Sequence, residues 1–279
     1  MDQTARNDIA IALGSIAVEA GAAIMAVRGS QTGVQHKSDG SPVTQADIDA
    51  DRIICRRLAS LLPDVPVVTE EASETHAFTV AGRFILVDPL DGTREFTSGR
   101  DEFTVNIALI DRGEPIAGVV YAPALNRLYV AGASAFRADV RPAEPLPELQ
   151  AMRELTTNSV PYEGLRAVAS HSHLDSATRN WLDRRPIGEL RSAGSSLKFC
   201  MIAEGEVDVY PRLAPTMEWD TAAGHAVLAA AGGCVVRVDG SPLRYGKCDA
   251  GFRNGSFIAW GTRDCCNSDR ARAPLLDAR

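Results

Sequence analysis

The six cysteines of this chain (Cys55, Cys200, Cys234, Cys248, Cys265 and Cys266) include no C-x-x-C pair, which argues against a zinc cage. Cys265 and Cys266 are adjacent and could oxidise, but reduced thiols are expected where no export signal is read. An excess of basic charge is also lacking. The formal net charge is −7, and a nucleic-acid polymer as main partner would need a broad basic surface. A small phosphorylated ligand needs only a few local cations or bound metals, so this balance does not exclude one. Met1-Asp2-Gln3 has no positive n-region, and the apolar stretch behind it carries Glu19 and meets no cleavage-like site. We therefore expect neither an export signal nor integral membrane contact, and a cytoplasmic location, with peripheral association at the inner membrane left open. No internal repeat or low-complexity tract is found.

What the chain does have is an ordinary globular composition, 45% apolar over 279 residues, enough for a large core in one domain or two. Ile9, Leu13, Ile16, Ala17, Ala20, Ile24 and Val27 recur at helical spacing and predict a long helix from about Asn7 to Arg28. The Gly-, Ser- and Lys-rich residues to Pro42, with Lys37 and Asp39, read as a mobile loop. Thr44-Gln45-Ala46-Asp47 is a capping pattern that opens a helix to Leu61, and Val65 to Thr69 is a short strand ending at Glu70 and Glu71. Phe103 to Asp111, Gly113 to Tyr121 and Arg127 to Ala133 alternate as an antiparallel meander. Arg137 to Val160, with Pro142, Pro145 and Pro147, is expected to connect two domains, 1–158 (α+β) and 159–279 (α/β). In the second, strands Leu165–Ser170, Ile187–Arg191, Glu206–Tyr210, Val235–Val238 and Ser256–Trp260 alternate with helices from Leu174, from Gly194-Ser195-Ser196-Leu197-Lys198 and from Glu218-Trp219-Asp220-Thr221.

The stretch Ile85-Leu86-Val87-Asp88-Pro89-Leu90-Asp91-Gly92-Thr93 carries the chemistry. Its apolar start suits a buried strand, and Pro89 cannot continue a ladder, so a turn is expected where the acids begin. Such a turn would gather Asp88, the Leu90 carbonyl and Asp91 round one point. Taken alone, the motif reads sooner as an Asx-type turn with solvated acids, and Asp47 as a first-turn acid favoured by the helix dipole. Asp47, Glu70, Asp88, the Leu90 carbonyl, Asp91 and Asp220 together form an oxygen-only set that suits Mg2+, or Mn2+ in its place, with more than one ion needed to offset five carboxylates. Two ions would serve the attacking water and the leaving oxygen of a phosphate ester. In that arrangement the catalytic residues are Asp47, Glu70 and Thr93: Thr93 orients water, Asp47 accepts its hydroxyl, and Glu70 supports the ion that holds the nucleophile. The Gly92 and Thr93 N–H groups cradle the phosphate, and Asp220 closes the site.

Asp88-Pro89-Leu90-Asp91-Gly92-Thr93 and Trp219-Asp220-Thr221-Ala222-Ala223-Gly224, with Glu70-Glu71 and Thr44-Gln45-Ala46-Asp47, resemble the signatures of the inositol monophosphatase superfamily of Mg2+-dependent, lithium-sensitive phosphatases. Ser41-Pro42-Val43-Thr44, Arg94-Glu95-Phe96, Glu102-Phe103-Thr104-Val105-Asn106-Ile107, Val120-Tyr121-Ala122-Pro123, the Gly194 to Cys200 stretch and Tyr210-Pro211-Arg212 are similar to its CysQ-type 3'(2'),5'-bisphosphate nucleotidases, which usually carry Lys where Arg94 stands. The resemblance implies a layered αβαβα sandwich of the inositol monophosphatase and fructose-1,6-bisphosphatase type, two or three Mg2+ ions, and a monomer or homodimer. It also implies hydrolysis of 3'-phosphoadenosine 5'-phosphate, with its sulfated relative as a further substrate and sulfur metabolism as the setting. The alternatives are an inositol or sugar-phosphate phosphatase, and a non-catalytic nucleotide-binding protein. Ser195, Lys198 and Arg212, the last on a loop, would hold the 5'-phosphate or ribose, against the plainer reading of Lys198 and Arg212 as solvated charges. His171 and His173 read as polar loop residues, one of which could contact the base. His225 reads as structural, Trp219 as a site wall or as packing, and Arg100-Asp101-Glu102 as a solvated loop.

Overall fold

An apolar, proline-free run folds as helix α1 (Gln3–Val27), begun by Asp2, whose carboxylate accepts the Ala5 N–H at 2.8 Å. The computed structural model describes residues 1–28, 35–36, 42–80, 82–158, 164–170 and 174–262. Two short antiparallel strands, β1 (Gln35–His36) and β2 (Pro42–Val43), precede α2 (Gln45–Leu61). Thr44 caps α2, and Asp47 reaches back to the Thr44 N–H at 2.7 Å, completing the capping box. Then come β3 (Val67–Thr69), β4 (Arg83–Asp91), a short α3 (Thr93–Thr97), β5 (Thr104–Asp111), β6 (Glu114–Ala122), β7 (Arg127–Ala131), β8 (Ala135–Asp139) and β9 (Arg153–Leu155). These strands lie in sequence order in one seven-stranded sheet, parallel only between β3 and β4.

A second sheet is built from β10 (Leu165–Ser170), β11 (Ile187–Ala193), β12 (Val209–Arg212), β14 (Cys234–Arg237) and β16 (Phe257–Trp260), in the order β11-β10-β12-β16-β14. Helices α4 (Ser176–Asp183), α5 (Leu197–Ala203) and α6 (Trp219–Ala230) and the two-stranded pair β13 (Thr216–Met217) and β15 (Arg253–Asn254) complete the described chain.

Burial explains the layering. Ile85 and Val87 of β4 face Leu13, Ile16 and Ile54 of α1 and α2, while Phe84 and Leu86 face the other way, toward Phe199 of α5 and Ala223 and Ala226 of α6. The same middle core takes Val168, Tyr210 and Val235 of the second sheet, whose far face packs Val209, Ile258 and Trp260 on Trp181 and Leu182 of α4. The result is the αβαβα sandwich. β4 is covered on both faces, which is why its sequence is a continuous apolar run with no alternation. Helix α1 is long and apolar enough to cross a membrane by length and composition. Its Leu13, Ile16 and Ile24 are nevertheless enclosed in the core against the first sheet, so it serves here as a core helix.

Several expectations need correction. β4 does not stop at Asp88 but runs through Pro89 to Asp91. The segment from Arg137 is not only a connection: β8 runs into it from Ala135, β9 lies within it, and both extend the first sheet, whereas Val160 lies outside the described residues. Arg212 is the last residue of β12 and not on a loop.

Helix α6 fits between the sheets because glycines allow close approach. A Cβ on Gly224 would stand 2.4 Å from the Phe199 ring, and one on Gly118 of β6 would stand 2.9 Å from the Ala226 Cβ. Helix propensity alone favours alanine over glycine by about 1 kcal/mol. The clash outweighs it, so Gly224→Ala should destabilise the protein by about 1–3 kcal/mol in urea unfolding, and an unchanged or raised midpoint would contradict this packing.

Candidate active site

At its end β4 makes an irregularity: Asp88 pairs with Asn106 and Asp91 with Thr104, so three steps on β4 match two on β5. This is a bulge, and Pro89, with no N–H to offer the ladder, falls inside it. The Leu90 N–H donates to Asp88 Oδ1 at 3.1 Å, and Asn106 Nδ2 donates to Asp91 Oδ2 at 3.3 Å. Asp88, Leu90 and Asp91 thereby line one cleft of about 920 Å³. The convergence foreseen from a turn is achieved by a bulged strand.

Gly92 follows with φ +92°, where a side chain would be strained and would crowd the Glu102 carbonyl at 3.3 Å. Thr93 then opens α3. Its hydroxyl is 3.2 Å from Asp47 Oδ1 and 3.2 Å from the Leu90 carbonyl, both acceptors, while Asp47 Oδ2 accepts from the Thr44 N–H and hydroxyl at 2.7 Å each. Asp47 is buried and is not among the residues lining the cleft; burial raises its pKa.

Glu70 at the end of β3, Asp88 at the bulge and Asp220 in the first turn of α6 bring carboxylate oxygens within 4.8 Å of one another. Burial, and then the negative charges of Glu70, Asp91, Asp220 and Glu71, hold Asp88 well above the usual carboxylate range. Asp91 is raised to about 7 by burial and then by Asp220, against the opposing pull of Lys198, Arg212 and Asn106. Asp220 accepts the Met217 N–H at 3.0 Å and the Thr216 hydroxyl, which fixes its rotamer. A buried carboxylate crowded by half-buried ones, with oxygen donors alone, is what a hard divalent cation relieves, so these residues fit such an ion.

The second sheet supplies the other wall. Ser195 adopts φ +42°, and its hydroxyl lies 3.0 Å from that of Thr104. Lys198 is buried and not solvated; its Nζ donates to the Ala193 carbonyl at 3.3 Å and the Ser195 carbonyl at 2.5 Å, and it sits 5.2 Å from the Tyr210 ring centre. Arg212 reaches the same cleft. Its Nε is enclosed and has no hydrogen-bond partner among the described residues, and Tyr210, Asp220 and Asp91 outweigh burial to raise its pKa. Gly92, Thr93, Ser195, Lys198 and Arg212 thus share the cleft with Glu70, Asp88, Leu90, Asp91 and Asp220.

The loop read as simply solvated is tied down. Arg28 pairs with Asp101 at 2.6 Å and donates to the Gly99 and Arg100 carbonyls, while Glu102 accepts the Gly194 N–H at 2.9 Å across the two sheets. His225 is structural: it meets the Tyr245 hydroxyl at 3.0 Å, and burial, with Arg244 beside it, pushes its pKa down to about 3. Trp219 does line the cleft, stacked on His76, a residue that sequence reasoning passed over. Its lone position in a polar stretch gave no signal. Lys37, Asp39, His171, His173, Cys265 and Cys266 lie outside the described residues.

Comparison with known proteins agrees with this fold. The model of the inositol monophosphatase family matches residues 5–268. The 3'(2'),5'-bisphosphate nucleotidase CysQ of Escherichia coli is 45% identical over 216 residues, covering 76% of this chain and 82% of the relative. That of Buchnera aphidicola is 39% identical over 250 residues, covering 88% and 90%. Among solved structures, CysQ from Bacteroides thetaiotaomicron, described as a bacterial member of the inositol monophosphatase family, superposes with a TM-score of 0.76 at 35% identity, covering 91% of this chain and 97% of that one. With its sandwich fold, its bulged Asp88-to-Thr93 turn and the Asp220 helix start brought to one cleft, this chain belongs to the inositol monophosphatase family.

Proposed function

We propose that the protein is a 3'(2'),5'-bisphosphate nucleotidase that hydrolyses the 3'-phosphate of 3'-phosphoadenosine 5'-phosphate to give AMP and phosphate, and that also accepts the sulfated relative. The observation that carries this reading is the content of one cleft: a carboxylate cluster fit for cations, with Lys198 and the unpartnered Arg212 Nε beside it. A ligand with two phosphates would meet positive charge at both. The relatives named as bisphosphate nucleotidases support the same choice.

Glu70, Asp88, the Leu90 carbonyl, Asp91 and Asp220 are proposed to hold two or three Mg2+ ions, with Mn2+ able to substitute. Such ions supply positive charge and Lewis acidity to a phosphate ester. The remaining work falls to the chain. The Thr93 hydroxyl donates its hydrogen bond to Asp47 or to the Leu90 carbonyl, which leaves its oxygen free to accept from, and so orient, a water. Asp47 fixes that orientation from behind, and Glu70 completes the catalytic set from the β3 side. The Gly92 and Thr93 N–H groups face the phosphate at the start of α3. Ser195, Lys198 and Arg212 bind the 5'-phosphate or ribose. The water oxygen bonds to phosphorus, the bond to the ribose 3'-oxygen breaks, and that oxygen takes up a proton in balance with the one the water gives up. No covalent enzyme intermediate is required. We further propose that the chain acts in the cytoplasm as a monomer or homodimer, with its domains divided near residue 158.

A phosphate-release panel with Mg2+ tests the substrate: the bisphosphate nucleotide should turn over faster than inositol 1-phosphate or fructose 1,6-bisphosphate, and the opposite order overturns the choice. Binding of the nucleotide with no release from any ester would instead identify a non-catalytic protein. Asp91→Asn removes a ligand charge at constant volume, so activity should fall by more than the roughly 10–100-fold that loss of an outer partner of a metal site costs, with the fold intact by circular dichroism. Near-normal activity would remove Asp91 from the site. Asp91 also predicts a pH signature. Its pKa is higher folded, about 7, than unfolded, 3.8, so without cations its contribution to stability is present at low pH and is lost as pH rises through 7. Saturating Mg2+ should therefore raise the melting temperature more at pH 8 than at pH 5, and an equal or reversed shift would contradict the assignment.

A further inference from the structure

We infer that His76 is a positioning residue for the cation site, a brace that sets the separation of Glu70 and Asp220. This rests on reading Glu70, Asp88 and Asp220 as a cation site but not on the choice of substrate. Those two carboxylates come from separate elements, one at the end of β3 and the other in the first turn of α6. β3 is the edge strand of the first sheet, so the outward backbone groups of Thr69, the residue before Glu70, have no strand to pair with.

The loop that follows satisfies them. The Thr69 N–H donates to Thr75 Oγ1 at 3.2 Å, and His76 Nε2 is 2.8 Å from the Thr69 carbonyl. A carbonyl only accepts, so the proton is assigned to Nε2. Thr75 Oγ1 closes the loop on itself by donating to the Ala72 carbonyl at 2.7 Å.

The same imidazole then stacks on Trp219, with ring centres 4.8 Å apart and planes inclined by 22°. Trp219 is buried, is the first residue of α6 and immediately precedes Asp220. His76 is thus one residue removed from each ligand, through a hydrogen bond on one side and a ring face on the other. No backbone hydrogen bond ties β3 directly to α6 among the described residues. Without the imidazole, the Glu70 loop and the α6 start could separate, and the cage would widen.

The test compares His76→Ala with His76→Phe, which keeps a ring but no donor, and His76→Gln, which keeps a donor but no ring. Mn2+ binding to each purified protein is measured by electron paramagnetic resonance, alongside thermal unfolding without cation. We expect His76→Ala to bind Mn2+ at least about tenfold more weakly, in the range seen for outer partners of metal sites, with His76→Phe and His76→Gln in between. Turnover should recover when Mn2+ is raised to saturation, which a general packing defect would not allow. If His76→Ala does not fold, the other two variants decide. Wild-type Mn2+ affinity in all folded variants overturns the inference alone. A wild-type protein that binds no Mn2+ overturns the cation site as well. Weakened binding beside a failed nucleotide assay supports the brace and rejects only the substrate.

Discussion

Asp88 and Asp91 are carboxylates delivered by a strand that is buried on both faces, and the rest of the site is arranged round the cost of that burial. A carboxylate enclosed without a cationic partner is unfavourable enough to shift its own protonation, and both residues are pushed that way. The bulge at Pro89 turns this liability into a shared point of charge. Glu70 and Asp220 then add to the repulsion instead of relieving it. Added positive charge resolves such an arrangement with the carboxylates kept ionised, and within the chain Lys198 and Arg212 act on Asp91 in that direction.

Helix α6 links this local chemistry to the global fold. Its small residues, Ala222, Ala223, Gly224 and Ala226, let it lie between the two sheets, while its first turn presents Trp219 and Asp220 to the cleft. Packing of the middle layer and geometry of the site are therefore one problem. Glu102 bonded to Gly194, and Thr104 to Ser195, bind the same two walls at another point. The site is held across the sheets by several specific contacts in place of one.

Much of this was legible in the sequence because the informative residues violate local expectation. A DPLDGT run after four apolar residues, and carboxylates where strands stop and helices start, are costly unless used, and their types name an oxygen-only site. What could not be read depends on contacts distant in sequence. β8 and β9 are too short to show a period on either side of the prolines, and they exist because β7 offers an edge to β8, and β8 in turn an edge to β9. Lys198 reads as a solvated helix residue until the Ala193 and Ser195 carbonyls and the Tyr210 ring are seen to enclose it. The bulge at Pro89 is set by register against β5, the pinning of Asp101 by an arginine 73 positions earlier, and the stack of His76 on Trp219 by tertiary packing alone.

The central claim is that carboxylates from β3, β4 and α6 form one cation site. Anomalous diffraction from crystals grown with Mn2+ addresses it most directly. The account predicts strong peaks within bonding distance of Asp88 and shared with Glu70, Asp91 or Asp220. A map with Mn2+ bound only elsewhere, or with no peak among these four residues at saturating Mn2+, would contradict it.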